Sequence, residues 1–527
     1  MNIEALFHQR ALADPAPAAI ITSRRDVDVR WSYGRLDSTG ARVASVLHQS
    51  GIGSGNPVLV FVPMSAELYA VLAAVWQLGA VAMFLDPSAG REHIDRCCQL
   101  VRPEAFVGTR AAQALRFESG PLRRIPKQFT VGGWLPGVAD LIGEAESAPE
   151  LARRESADDA TPALITFTSG STGLPKAAVR THGFLLAQHA VLAKHLDLRP
   201  GQVDLTTLPV FAVANLASGV TSVIPDADLT RPGAIAPGPV VRQVDRLAVE
   251  RTTASPALIE RLVEYCESEG RTLDSLRRVH TGGAPVFPDL LDRLERVAPH
   301  ARVTAVYGST EAEPIASIDL EDLTGQDRAH MRGGWGLLAG APLAETRTRI
   351  LLAEWGVPIG PFSAAEFDGL RPLAGGRGEI VVTGGHVLKG YLGGSGDEET
   401  KFEVEGERWH RTGDAGFFDE SGRLWLLGRT GAMIADAKGE LWPFSVECAA
   451  AGFPGVRRTA LAARDGLRIL VVEPRPHAEP DMDALRELLS WALLDDIHVT
   501  RRIPVDRRHN AKIDYPALEK LLDRELR

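Results

Sequence analysis

Apolar runs and amphipathic stretches alternate along most of the chain. Pro57–Met64, "PVLVFVPM", is a short apolar run of the kind a buried strand makes. Ser65–Gly79, "SAELYAVLAAVWQLG", reads as a helix, and Ala80–Asp86, "AVAMFLD", is strand-like again. This strand–helix–strand order predicts an α/β fold with substantial parallel sheet. The longest apolar run, Leu68–Leu85, approaches the length of a membrane helix. Gln77 and Gly79 interrupt it and it ends at Asp86-Pro87, so the pattern favours a buried helix passing into a strand and a turn over a transmembrane segment.

The pattern changes twice. From about Gly334 to Gly376 the chain is rich in Pro and Gly with short β-like runs, which predicts a β-rich subdomain. After Leu424–Ile434, "LWLLGRTGAMI", about a hundred residues carry their own strand-like runs, Ala460–Arg464 and Arg468–Pro474, and helical runs, Met482–Leu494 and Tyr515–Asp523. A boundary near Arg429 follows: residues 1–428 form a large multi-subdomain N-terminal domain, and residues 429–527 a small α+β domain. A length of 527 residues agrees with more than one core.

Charge and cysteine content exclude several classes. Lys plus Arg number 58 against 68 Asp plus Glu, a formal charge of −10 spread along the chain, which argues against a nucleic-acid or membrane-surface binder. Cys97, Cys98, Cys266 and Cys448 are too scattered for a disulfide framework or a zinc site. No basic segment leads into an apolar core at the N-terminus, so the expected location is the cytoplasm.

Four segments carry the candidate chemistry. In "TFTSGSTGLPKAA", Thr166–Ala178, Gly170 and Gly173 let the backbone turn and bring N–H groups close to a ligand. Thr168, Ser169, Ser171 and Thr172 add hydroxyls, and Lys176 adds a charge. Such donors suit a polyphosphate, but the spacing G-x-x-G-x-x-K is not that of the common P-loop. "VYGSTEAEPIAS", Val306–Ser317, combines an aromatic ring, hydroxyls and carboxylates. "HRTGDAGFFDESGRLWLLGR" sets Asp414 in a tight turn ahead of Arg429, and "PVDRRHNAKI" places Lys512 near the C-terminus. Each alone reads as a loop acid, a turn former or a surface lysine. Their joint occurrence in this order does not.

In these motifs the chain resembles the adenylate-forming superfamily of acyl-CoA synthetases, luciferases and peptide-synthetase adenylation domains, over most of its length. The resemblance implies that a carboxylic acid attacks the α-phosphorus of ATP to give an acyl adenylate and pyrophosphate. It also implies a C-terminal domain that rotates between partial reactions. By the same resemblance Thr168, Ser169, Gly170, Ser171, Thr172, Gly173 and Lys176 hold the β and γ phosphates, and Thr310 binds the α-phosphate. Mg²⁺ binds through Glu311 and phosphate oxygens. Tyr307 and Gly308, with Gly283, Ala284 and Pro285, line the adenine pocket; Asp414 accepts the ribose hydroxyls and Arg429 reaches the ribose or hinge. Lys512 bridges carboxylate and α-phosphate oxygens in the transition state. Such an arrangement places cations where negative charge gathers.

Departures narrow the resemblance. Ala177 stands where the family has a glycine, Gly431 where a charged hinge residue is usual, and Lys438-Gly439-Glu440 where acyl-CoA ligases carry a glycine-rich motif used in thioester formation. Together with "TLPVFAVANLASGVTSVIPDADLTRP", in which Phe211, Ala212 and Asn215 are the candidate acyl-pocket residues, the motifs are most similar to olefin-biosynthesis β-lactone synthetases. Those enzymes let a β-hydroxyl attack its own adenylate, where proximity replaces a second substrate. Transfer to CoA, a carrier-protein thiol or an amine is the alternative, and a silent nucleotide- or acyl-binding module a third. His182 and His280 are candidates for a base, although each also reads as a structural histidine.

Overall fold

The computed structural model describes residues 1–85, 90–169, 175–373, 375–506 and 512–526. It divides into two compact units: Met1–Asp226 with Arg246–Arg251 and Gly385–Asp397, and Ala227–Asp245 with Thr252–Gly384 and Glu398–Arg527.

The first unit holds a seven-stranded sheet in the order Ala139–Asp140, Lys127–Val131, Ala105–Thr109, Pro57–Phe61, Val81–Phe84, Pro162–Ser169, Pro175–Thr181. All neighbours are parallel except the last pair. The predicted strand–helix–strand order is therefore real: strand Pro57–Phe61, helix Ala66–Gln77, strand Val81–Phe84. Ser65 caps the helix by accepting a hydrogen bond from the Leu68 N–H. Every residue of the helix except Glu67 is buried, because it shares one apolar cluster with Ile20 of a second sheet and with Val58 and Val60. Burial on all sides explains its unbroken apolar run, and each large side chain it buries, such as Trp76, contributes about 1.5–3 kcal/mol. Among the described residues no helix is long and apolar enough to cross a membrane.

In the second unit a largely antiparallel sheet runs in the order Arg347–Leu351, Gly378–Thr383, Glu407–Phe418, Leu424–Arg429, Leu337–Pro342, Ala312–Asp319, Arg302–Ser309. Arg278–Gly282 then joins in parallel. The Pro/Gly-rich zone thus supplies two of its strands.

Residues beyond Arg429 form the hairpin Ile434–Asp436/Gly439–Leu441 and a three-stranded sheet, Val456–Arg464, Leu467–Pro474 and Asp496–Val499. Alternation along Leu467–Pro474 decides the layering. Leu470 and Val472 pack with Val446 and Leu485 on one face, while Ile469 and Val471 pack with Leu518 and Leu522 on the other. The helical run Met482–Leu494 is shorter than its apolar pattern suggests. The α-helix ends at Leu488, a 3₁₀ turn follows, and Leu493 adopts the left-handed conformation at φ 51°.

Candidate active site

The strands Arg302–Ser309 and Ala312–Asp319 form a hairpin whose two-residue tip is Thr310-Glu311, with Ser309 paired to Ala312. The register slips between Tyr307 and Ser309, and Gly308 sits at the slip. A Cβ there would lie 3.0 Å from the Ala312 carbonyl oxygen, so only glycine fits without displacing the turn. On the parallel side Gly282 faces Val306, where a Cβ would come within 2.5 Å of the Val306 carbonyl oxygen. The half-buried Gly283, Ala284 and Pro285 follow directly from the end of this strand.

Tyr307 is fixed through its hydroxyl, which donates to Asp414 Oδ2 at 2.9 Å. Burial, then the neighbouring Asp414 charge, pushes the phenol well above its ordinary value, so it stays protonated and donates. Arg429, the register partner of Asp414, donates from Nη1 to Asp414 Oδ1 at 3.1 Å and to the Thr412 carbonyl at 2.9 Å. The Asp414 and Glu311 carboxylates favour its charged form, Asp414 most strongly. Asp414 lies not in a tight turn, as the sequence suggests, but inside the strand Glu407–Phe418, at an irregularity where Gly413 takes φ 69°. One acidic side chain thus gathers an aromatic hydroxyl and a guanidinium, with Glu311 in electrostatic reach.

The sequence gives little warning of what holds this acid in place. Arg411 and Glu379 are both fully buried, and Glu379 Oε2 accepts from Arg411 Nε at 2.9 Å and Nη2 at 2.6 Å. Glu379 Oε1 accepts the Gly413 N–H at 3.3 Å, and the Thr412 hydroxyl accepts the Asp414 N–H at 3.1 Å. Arg411 stands between His410 and Thr412 along the strand, so alternation turns it to the opposite face, and that period of two is the only advance signal.

His410 is buried with Lys401, its cross-strand partner, whose Nζ stands 3.1 Å from His410 Nδ1. The same Nδ1 lies 3.1 Å from the Thr400 carbonyl oxygen, so it meets a donor and an acceptor at once, and burial with the neighbouring ammonium favours the neutral ring. Burial, then the Lys401 charge, pushes its pKa from 6.5 down to about 3, against an opposing pull from Glu311. Between those two values the unfolded chain binds a proton that the folded chain refuses, so this group costs stability as pH falls below 6.5, at up to about 1.4 kcal/mol per pH unit. Denaturant titrations at pH 7, 6 and 5 are expected to show a steeper loss for the wild type than for His410→Gln. Equal slopes would remove the effect.

The remaining candidates are placed elsewhere. In the first unit Lys176 is buried, pairs with Thr168 in register, lies against Gly396 and has its ammonium 5.9 Å from the Tyr391 ring centre. Gly170, Ser171, Thr172 and Gly173 lie outside the described residues, as do the side chains of Thr168 and Ser169. Phe211 packs with Leu192, Leu196 and Ala214, and Ala212 belongs to the main core. Asn215 directs its amide to Asp204 Oδ2 at 2.8 Å, Thr206 Oγ1 at 3.0 Å and Ser222 Oγ at 3.1 Å, inside a buried polar network. His182 accepts the Ile3 N–H at Nδ1, 3.2 Å, and burial first pushes its pKa down to about 4. His280 is buried on the strand Arg278–Gly282. Lys512 has an exposed side chain; its N–H donates to Asp506 Oδ1 and its carbonyl accepts the Asp506 N–H, beside the bridge Val505–Ile513. Gly431 sits in the 3₁₀ turn Thr430–Ala432 directly after Arg429.

Comparison with known proteins settles the family. The model of the AMP-binding enzymes matches residues 7–392, well over half of the sequence. The chain belongs to the AMP-binding enzyme family. It is 34% identical over 512 residues to an olefin β-lactone synthetase of Stenotrophomonas maltophilia, covering 92% of this chain and 90% of the relative. It is equally identical over 514 residues to the olefin β-lactone synthetase of Xanthomonas campestris pv. campestris, with the same coverage. The fold is similar to that of ATP-bound MatB from Rhodopseudomonas palustris, with a TM-score of 0.80 at 21% identity over 99% of both chains. This AMP-binding enzyme is therefore an adenylate-forming ligase with the mixed α/β architecture of its class.

Proposed function

We propose that the enzyme activates a β-hydroxy acid with ATP and closes the resulting acyl adenylate to a β-lactone, releasing pyrophosphate and then AMP. The observation that carries this reading is the 34% identity, over nine-tenths of both chains, to two olefin β-lactone synthetases. Lys438 supports it. In the segment where acyl-CoA ligases use a glycine-rich motif, the Lys438 ammonium donates to Asp495 Oδ1 at 2.5 Å and to the Leu493 carbonyl at 3.2 Å, so its charge is tied to a carboxylate of its own fold. An internal hydroxyl needs no thiol channel, because its effective molarity is already high.

In this reading Tyr307, Gly308 and the Gly283–Pro285 segment receive adenine, Asp414 takes the ribose hydroxyls and Arg429 neutralises their surroundings. Thr310 meets the α-phosphate. Thr168 to Gly173 and Lys176 grip the β and γ phosphates. Phe211 and Ala212 belong to the acyl side, Asn215 supports their helix from within through its bonds to Asp204, Thr206 and Ser222, and residues 429–527 rotate to deliver Lys512. Glu311, a half-buried carboxylate on a hairpin tip, suits Mg²⁺, which takes one or two carboxylates and completes its shell with water and substrate phosphate. Bound there, the metal would neutralise phosphate charge. Four buried thiols fit a reducing cytoplasm.

Incubating the enzyme with ATP, magnesium and a β-hydroxy acid, with no thiol or amine, is expected to yield AMP and β-lactone. AMP release only after a thiol or amine is added would overturn lactone closure while keeping adenylation. Pyrophosphate release that no acid stimulates would overturn both. Glu311→Gln is expected to raise the magnesium concentration for half-maximal turnover about tenfold, the loss of roughly one charge-assisted contact. An unchanged magnesium dependence would remove the metal role.

A further inference from the structure

A cleft of about 740 Å³ opens in the second unit, away from the constellation around Asp414 in sequence and built from different elements. Four arginines line it, Arg457, Arg501, Arg502 and Arg524, against two acidic residues, Glu473 and Glu525. In a protein with a formal charge of −10 this is a local reversal of sign.

The two acids do not cancel it. Glu473 is buried and already occupied, accepting from Arg457 Nη1 at 3.1 Å and from the Ile503 N–H at 2.8 Å. Glu525 is engaged by His498 Nε2 at 3.0 Å, and its contact with Arg524 is a longer 3.4 Å. Arg501 and Arg502 are exposed and make no ion pair with any described residue. Arg457 Nε is buried without a hydrogen-bond partner among the described residues, a donor left without an acceptor. Arg458 is held below its ordinary value, first by burial, against the opposing charges of Glu473 and Glu260, with the Arg457 and Arg502 charges acting alongside the burial.

We infer that this cleft is a binding site for a small phosphate-bearing anion. Guanidinium forks match phosphate oxygens in pairs and carry little hydration cost, which suits them to this ligand class over simple carboxylates. The volume falls in the range of small-molecule sites, and Leu521 and Ala234 give it an apolar patch for an organic portion. Its position gives the site a consequence. Thr500–Arg502 lead into the segment carrying Lys512, and Tyr515–Glu525 is the helix that follows it, so a bound anion would hold together both legs of the lysine loop. The inference stands whatever group accepts the acyl chain.

The test is residue-resolved. Arginine modification by phenylglyoxal is followed by peptide mass spectrometry in inorganic pyrophosphate, in AMP, in polyglutamate, and in chloride at matched ionic strength. Pyrophosphate or AMP is expected to slow modification of Arg501 and Arg502 at least threefold relative to chloride, while the exposed Arg153 and Arg91 are unaffected. Protection by pyrophosphate alone would mark an inorganic ligand; protection by AMP as well would mark a phosphate on an organic carrier. Equilibrium dialysis of labelled pyrophosphate should show one class of sites lost, with affinity falling at least tenfold, in Arg501→Glu/Arg502→Glu and largely retained in Arg501→Lys/Arg502→Lys. Modification equal to that in chloride, protection by polyglutamate only, or unchanged dialysis in the charge-reversed variant would each overturn the inference.

Discussion

Replacing Lys512 with alanine is expected to lower acid-dependent ATP–pyrophosphate exchange by about 100- to 1000-fold, the usual cost of removing one donor aimed at transition-state charge. ATP binding should change little. Carboxylate attack on the α-phosphorus concentrates negative charge that neither substrate carries in the ground state, so a lysine meeting it there contributes to kcat rather than to nucleotide affinity. The variant is interpretable because the side chain is exposed and the loop is held by backbone contacts to Asp506, which alanine keeps. Exchange at the wild-type rate would remove Lys512 from the reaction.

The second large effect is one of stability. Arg411→Ala is expected to destabilise the protein by about 3–5 kcal/mol, because it strands the Glu379 carboxylate in a fully buried position. It also removes donors from the Val357 and Glu354 carbonyls, at 2.5 and 2.7 Å. Urea unfolding followed by far-UV dichroism measures the loss, and a change below about 1 kcal/mol would show that the pair is dispensable. The double variant Arg411→Ala/Glu379→Gln should lose less than the single one, since the uncompensated charge is gone. In both, the KM for ATP should rise, because Glu379 also holds the Gly413 N–H that sets the course of the chain into Asp414.

Much of the site is legible in the sequence because its chemistry is local. The proposed phosphate grip, base pocket, ribose acid and catalytic lysine each lie within a short segment whose residue types state their own donors and charges. Tyr307, Gly308, Thr310 and Glu311 are consecutive or nearly so, and a hairpin tip presents them together. The strand–helix alternation is equally plain, since burial on both faces of a parallel sheet leaves continuous apolar runs such as Pro57–Phe61. Asn215 is harder to read. An amide at the acyl side and an amide spent on Asp204, Thr206 and Ser222 look identical in sequence, because the difference lies in what side chains 7 to 11 residues away do in space.

The sequence alone determined the reaction class, the alternating fold and the separate cluster of strands and helices after Arg429, since each depends on residues close together in the chain. Only the tertiary structure decided that Tyr307 and Asp414, 107 residues apart, share a hydrogen bond, that Glu379 and Arg411 brace the acid from behind, and that burial beside Lys401 keeps His410 neutral. Strand order brings those partners together, and register decides which side chain faces which. The arginine cleft belongs to the same category: its guanidinium groups come from two strand ends and a helix, and their shared excess of charge exists only once those elements pack.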